Sequence, residues 1–328
     1  MLDVYGSSQP PERSAAPGEL IRRQRLVQRL IGLVLCFGGS ALVVASGVKA
    51  MLSITQGLPW TGEVPLAIAG TVVVSLGIGA GRSRQLALLL GGLSRRARKR
   101  RAFVVAVVAV ALVACMVGMK LSVGSVSRYK RLLGEGGLIE YGQVLLLAAS
   151  AWCTALIAKD CFRRLGLRAL GTASAVASFG LAFLVMEELA WGQVLFGWQT
   201  PEGIANVNAQ NQTTFHNLDV FQSSLDVSFF LLMLALLIVI VVQPFGSYPT
   251  SQDGLSPKAV GALLLPPRYF WPLGLVSVLI SLFVASKGAP TIIFNRDQEW
   301  AELVFYLVLA LASLRGYILL GGMNRSAE

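Results

Sequence analysis

Glu187 and Glu188 stand side by side in "MEELAWGQ" (186–193), directly after the apolar run "LGTASAVASFGLAFLV" (170–185). If the run is a helix, both carboxylates lie at its C-terminal end. The helix dipole disfavours anions there by about 0.3–1 kcal/mol. If the run also crosses a membrane, each carboxylate carries a further penalty of about 2.5–3.5 kcal/mol at mid-span and less near the end. The two side chains point about 100° apart around a helix. Nothing local offsets their cost, so either groups from other helices or from the following loop do so, or one glutamate is protonated.

His216, the sole histidine, sits in that loop. It is the one ordinary side chain here that exchanges protons near neutrality. Glu140, Asp297, Glu299 and Glu302 open other apolar runs. Carboxylates at helix N-termini are stabilised by the dipole, so capping alone can explain them, and a role in the site is the other reading. Trp191 is expected at the aromatic belt of the membrane interface, which puts the glutamate pair about one turn deeper.

Three chemistries fit Glu187, Glu188 and His216. They can act as acid and base on a substrate arriving from the outer leaflet. They can ligate a divalent metal; one histidine with carboxylates suits Mg, Ca, Mn or Fe better than a three-histidine zinc site. They can begin an ion or proton path, a weaker reading because no acid lies at the middle of any apolar run. No P-loop, dinucleotide glycine fingerprint, HExxH or GxSxG motif occurs.

The elements that would position these residues are apolar runs. Of 328 residues, 55% are hydrophobic and 14% charged, against roughly 45–50% and 25% in soluble domains. Runs long enough to cross about 30 Å of hydrocarbon fall at 30–52, 63–81, 102–124, 138–158, 170–191, 226–245, 269–288 and 301–320. The expected fold is all-α, a polytopic transmembrane helical bundle of eight spans. The expected organisation is a disordered basic tail (1–28), one membrane domain (29–320) with an outer cap loop (192–225), and a short tail (321–328). The first run reads as a retained helix rather than a cleaved signal. "LALLLGGL" (86–93) is too short to cross and reads as interfacial.

With both termini in the cytoplasm, 21 of the 28 basic residues fall inside and 7 outside, as the positive-inside rule requires. The net charge of +11 is then a topology signal. The basic face meets anionic lipid headgroups, and the expected partners are membrane lipids rather than nucleic acid. Eleven of the 17 acids fall on the outer side or at outer span ends. Acids contribute little to orientation, so that clustering needs another cause. Cys36, Cys115, Cys153 and Cys161 show no CxxC spacing and predict neither disulfide nor zinc site.

"EELAWGQVLFGWQTPE" (187–202) followed by "NAQNQTTFHNL" (208–218) resembles an uncharacterised family of bacterial multi-pass membrane proteins. The family pattern reads E-E-[IL]-S-W-G-Q-R, then T-P-E, then N-x-Q-x-E-x-N-L-H-N. Gly137-Leu138-Ile139-Glu140 matches its acidic span start, and Glu299 and Glu302 match its Glu-rich late span. The likeness is good over about 134–220 and loose elsewhere. Val194 stands where Arg is usual and Gln212 where Glu is usual. The resemblance implies a bacterial cytoplasmic-membrane location. It links the glutamate pair to the loop histidine and adds Trp191, Gln193 and Asn217 to Glu140 and Glu302 as supporting residues. It brings no reaction. The expected function is a membrane-embedded enzyme whose outer-leaflet Glu187/Glu188/His216 site acts on a lipid or lipid-linked saccharide. A transporter and a non-catalytic subunit of a membrane complex are the alternatives.

Overall fold

A computed structural model describes residues 22–23, 25–29, 32, 95–123, 129, 133, 138–163, 165–193, 198–206, 208, 213–215, 219–242, 265–286 and 295–323. The chain divides into two compact units, 1–92 with 321–328, and 93–320. In the first, the described residues between 22 and 32 are helical. The second carries six long helices: α1 (Arg95–Val123), α2 (Leu138–Arg163), α3 (Arg168–Glu188), α4 (Asp219–Val242), α5 (Trp271–Ala285) and α6 (Gln298–Met323). No strand occurs among the described residues.

Each helix, α5 together with the 3-10 turn Arg268–Phe270 before it, carries an apolar stretch of 18 to 25 residues, which is about 27–38 Å at 1.5 Å per residue and enough to cross the hydrocarbon. The protein is an integral, multi-pass, all-helical membrane protein. α1 to α6 coincide with the last six expected spans. The expected spans at 30–52 and 63–81, and the interfacial piece at 86–93, lie outside the described residues. Several boundaries shift. α3 stops at Glu188 rather than 191 because its backbone turns left-handed there, and α4 begins at Asp219, which shortens the expected cap loop.

α6 is the axis of the bundle. Val304, Val308 and Ala312 form one core with Val105 and Ala109 of α1, Ile240 of α4 and Leu273 of α5. Trp300 and Ala301 form a second with Met116, Tyr129, Leu133, Ile139 of α2, Ile280 and Val284. Small residues allow the close approaches, as expected where lipid supplies no hydrophobic drive for association. A Cβ on Gly274 of α5 would lie 3.2 Å from Leu237 of α4, and one on Gly142 of α2 would lie 3.3 Å from Leu303 of α6. The Ser277 hydroxyl on α5 donates to the Ala301 carbonyl of α6 at 2.8 Å.

α2 and α3 form an antiparallel hairpin. Gly166 takes φ +66° at the turn, where a left-handed residue closes a helix at least steric cost. The Leu165 and Leu167 amides donate to the Asp160 and Cys161 carbonyls at 3.1 and 3.0 Å. α3 is peripheral: its fully buried residues are Gly171, Ser174 and Glu187. Val176 and Phe179 on its outer face are exposed, as a lipid-facing helix would be.

Alternation of the helices separates the charges. Arg100, Arg101, Arg163, Arg168 and Arg268 share one end, with Arg101 6.0 Å from the Tyr269 ring centroid. Glu140, Glu187, Glu188, Asp297, Glu299 and Glu302 share the other. At this acidic end Asp297, fully buried, receives Lys120 of α1 at 2.5 Å and the Tyr129 hydroxyl at 2.7 Å. The Trp300 indole donates to the Tyr129 oxygen at 3.1 Å. Burial, then the bond and charge of Asp297, push the Tyr129 phenol far above its usual range, so it stays a donor. The network clamps the end of α1 to the start of α6.

Candidate functional site

The last regular residue of α3 is Glu188. Ala190, Trp191 and Gly192 then adopt φ of +45°, +55° and +95°. Left-handed backbone at the two non-glycine positions costs roughly 1–2 kcal/mol each and persists only where the surroundings enforce it. The enforcement comes from Glu187. Its Oε1 accepts the Trp191 indole N–H at 2.5 Å, and its Oε2 accepts the Phe215 backbone N–H at 2.9 Å. One buried carboxylate thus folds the turn back on the helix and fastens a strand of loop 28 residues away. The rings of Phe183, Trp191 and Phe215 close around it. Trp191 meets the other two edge-on at 5.5 and 6.0 Å, and Phe183 stacks on Phe215 at 6.3 Å.

Gln193 is the second fastening. Its Nε2 donates to the Thr200 hydroxyl at 2.9 Å, and its Oε1 accepts the Thr213 backbone N–H at 3.0 Å. Asn208 holds the next carbonyl, with Nδ2 donating to Thr214 O at 2.9 Å. Between these ties Glu202–Ala205 forms one helical turn. The amides and aromatics that marked this loop in the sequence are its internal scaffold.

Glu188 faces elsewhere. Its Oε1 accepts the Tyr306 hydroxyl of α6 at 3.0 Å. Glu302, one turn before Tyr306 on the same face, stands within electrostatic reach of Glu188, Glu299, Arg296 and Gln298. Gln143 of α2 donates to both the carbonyl and Oε2 of Glu299, at 2.9 and 3.1 Å. Arg296 reaches Glu299 Oε1 at 3.3 Å. Three carboxylates from α3 and α6, with Tyr306, Gln143 and Gln298, therefore form one polar cluster inside the acidic end. Glu140 lies half-buried in the first turn of α2, one turn before Gln143.

The expected pair is thus divided: Glu187 belongs to the cap with Trp191 and Gln193, and Glu188 joins Glu302 in the bundle. His216 and Asn217 lie outside the described residues. Among the described residues no three His, Cys, Asp or Glu side chains gather closely enough to hold a metal ion. Tyr306, Gln143, Lys120 and Tyr129 were not singled out from the sequence. A signal existed for two of them: Gln143 repeats Glu140 at i+3, and Tyr306 repeats Glu302 at i+4, in otherwise apolar runs. Comparison with models of known protein families, with curated proteins and with solved structures finds no match.

Proposed function

We propose that the protein is a membrane-embedded enzyme that works at its acidic end on a lipid or lipid-linked saccharide. The observation that carries this reading is the division of labour between adjacent glutamates. Glu187 has both oxygens engaged by cap donors, whereas Glu188 turns into the bundle onto Tyr306 beside Glu302. A protein needing only a polar latch has no use for the second carboxylate at the unfavourable pole of the dipole. A carboxylate held by a phenol, with a second carboxylate within electrostatic reach, supplies the parts of an acid–base pair. In this reading Glu188 and Glu302 exchange the proton, Tyr306 orients Glu188, and Glu140 supports the cluster from α2. His216, next in the chain after the anchored Phe215, is a further acid or base, and a divalent metal held with its help is the alternative chemistry.

The topology that fits has the basic end in the cytoplasm with both termini, eight spans, and the site facing the outer leaflet of a bacterial cytoplasmic membrane. The substrate reaches the site sideways past α3, whose face is exposed. The test is conversion of lipid. Full-length protein is reconstituted with total lipid from a bacterial membrane, and species are followed by mass spectrometry. A time-dependent mass change in one lipid class, present with the wild type and absent with Glu188→Gln, is expected. Identical profiles for the two proteins would remove the enzyme reading.

A further inference from the structure

Gln143 is fully buried, and its amide has one allowed orientation. Its Nε2 lies 2.9 Å from the Glu299 carbonyl and 3.1 Å from Glu299 Oε2. Both partners only accept, so the amide spends both hydrogens there. The oxygen left over, Oε1, meets no donor. Gln298 stands within electrostatic reach of Glu302, and its own buried Oε1 is also without a donor. Two buried carbonyl oxygens without donors therefore lie in the cluster at the start of α6, Gln143 beside Glu299 and Gln298 beside Glu302. Buried acceptors without donors are rare in folded proteins and mark a missing partner.

That partner must bring several N–H or O–H donors and positive charge. A bare divalent ion requires a shell of carboxylates at coordination distance, which the described residues do not form. A primary ammonium requires less: three N–H donors, each on an acceptor at about 2.7–2.9 Å. We infer that the cluster between α2, α3 and α6 binds the primary ammonium of a membrane-lipid headgroup, with Glu188, Glu302 and the Gln143 carbonyl as its acceptors. The inference rests on the catalytic reading of the same site and names its substrate class as an amine-bearing lipid. α3 exposes Val176, Phe179, Phe183 and Met186 along one side, which gives the acyl chains a surface while the head reaches inward.

Native mass spectrometry of the full chain tests it. The protein is offered equimolar phosphatidylethanolamine, phosphatidylcholine and phosphatidylglycerol with matched acyl chains. Phosphatidylethanolamine should be retained about tenfold over phosphatidylcholine, whose trimethylammonium cannot donate, since a lost hydrogen bond to a charged group is worth about that factor. Gln143→Met, which keeps the volume and removes the acceptor, should abolish most of the preference, as should Glu302→Gln. Equal retention of the three lipids, or an unchanged preference in Gln143→Met, would overturn the inference. Displacement of the lipid by soluble ethanolamine would reassign the site to a free amine, and displacement by calcium would reassign it to a metal; either result overturns the lipid headgroup. Binding is read without turnover. A retained preference with no lipid conversion leaves this inference standing and removes the enzyme reading, and conversion of a lipid lacking an amine does the reverse.

Discussion

Replacing Glu187 by alanine should unfasten the cap without unfolding the bundle. The carboxylate accepts two N–H donors, from Trp191 at 2.5 Å and Phe215 at 2.9 Å. Hydrogen bonds to a charged group contribute about 1.5–3 kcal/mol each, so the cap loses roughly 3–6 kcal/mol. Strain adds to this in the same direction. Ala190 and Trp191 are left-handed, each at roughly 1–2 kcal/mol, and without the latch the turn relaxes by releasing it. Local opening that becomes easier by about 3 kcal/mol raises the open population on the order of 100-fold. Hydrogen–deuterium exchange in nanodiscs reads this directly at the amides of 189–193 and 213–215. Those of α5 and the inner half of α6, which do not touch the latch, should keep their rates. Glu187→Gln retains one acceptor and should fall between wild type and alanine. An unchanged Phe215 exchange rate in Glu187→Ala would refute the latch, and acceleration throughout the bundle would refute its local character.

Asp297→Asn should destabilise the bundle by about 3–5 kcal/mol in thermal unfolding, because it takes the fully buried Asp297 charge away from the partly buried Lys120 ammonium. The double variant Lys120→Met with Asp297→Leu should regain most of that loss, and a double variant no better than the single would contradict the pairing. Tyr306→Phe removes the donor to Glu188 and should reduce lipid conversion by about tenfold or more while cap exchange stays at the wild-type rate. In the folded state the Tyr129 phenol ionises well above the ordinary phenol pKa of 10.0, chiefly through burial and secondarily through Asp297. Its contribution is therefore complete below that pH and is lost as pH rises beyond it. In alkaline unfolding curves Tyr129→Phe should start less stable and decline less steeply, and parallel curves would count against the assignment.

The sequence was informative where the physics is one-dimensional. An apolar run of about 20 residues announces a span whatever its neighbours, and α1 to α6 fall where such runs lie. The mismatch of two anions with the C-terminal pole of α3 was equally legible, and so was the need for partners from outside the helix. Which partners they are depends on how each helix is rotated about its axis and how far it slides along its neighbour. Lys120 and Asp297 meet across 177 residues of chain, and Glu188 and Tyr306 across 118; no local spacing encodes either. The left-handed turn at Ala190 and Trp191 was hidden for a different reason. That conformation ordinarily signals itself by glycine, and the one glycine there, Gly192, follows the two strained residues rather than occupying their places. Trp191 supplies through its indole a donor to Glu187 that a glycine in its place would lack.

The claim that two adjacent glutamates hold separate posts is tested most directly by comparing Glu187→Gln with Glu188→Gln in the same nanodiscs. Cap exchange and lipid conversion are measured on each sample. Glu188→Gln should lose conversion while residues 213–215 keep their protection, and Glu187→Gln should lose that protection first. If the two variants change both readouts alike, the pair acts as one unit and the account is wrong.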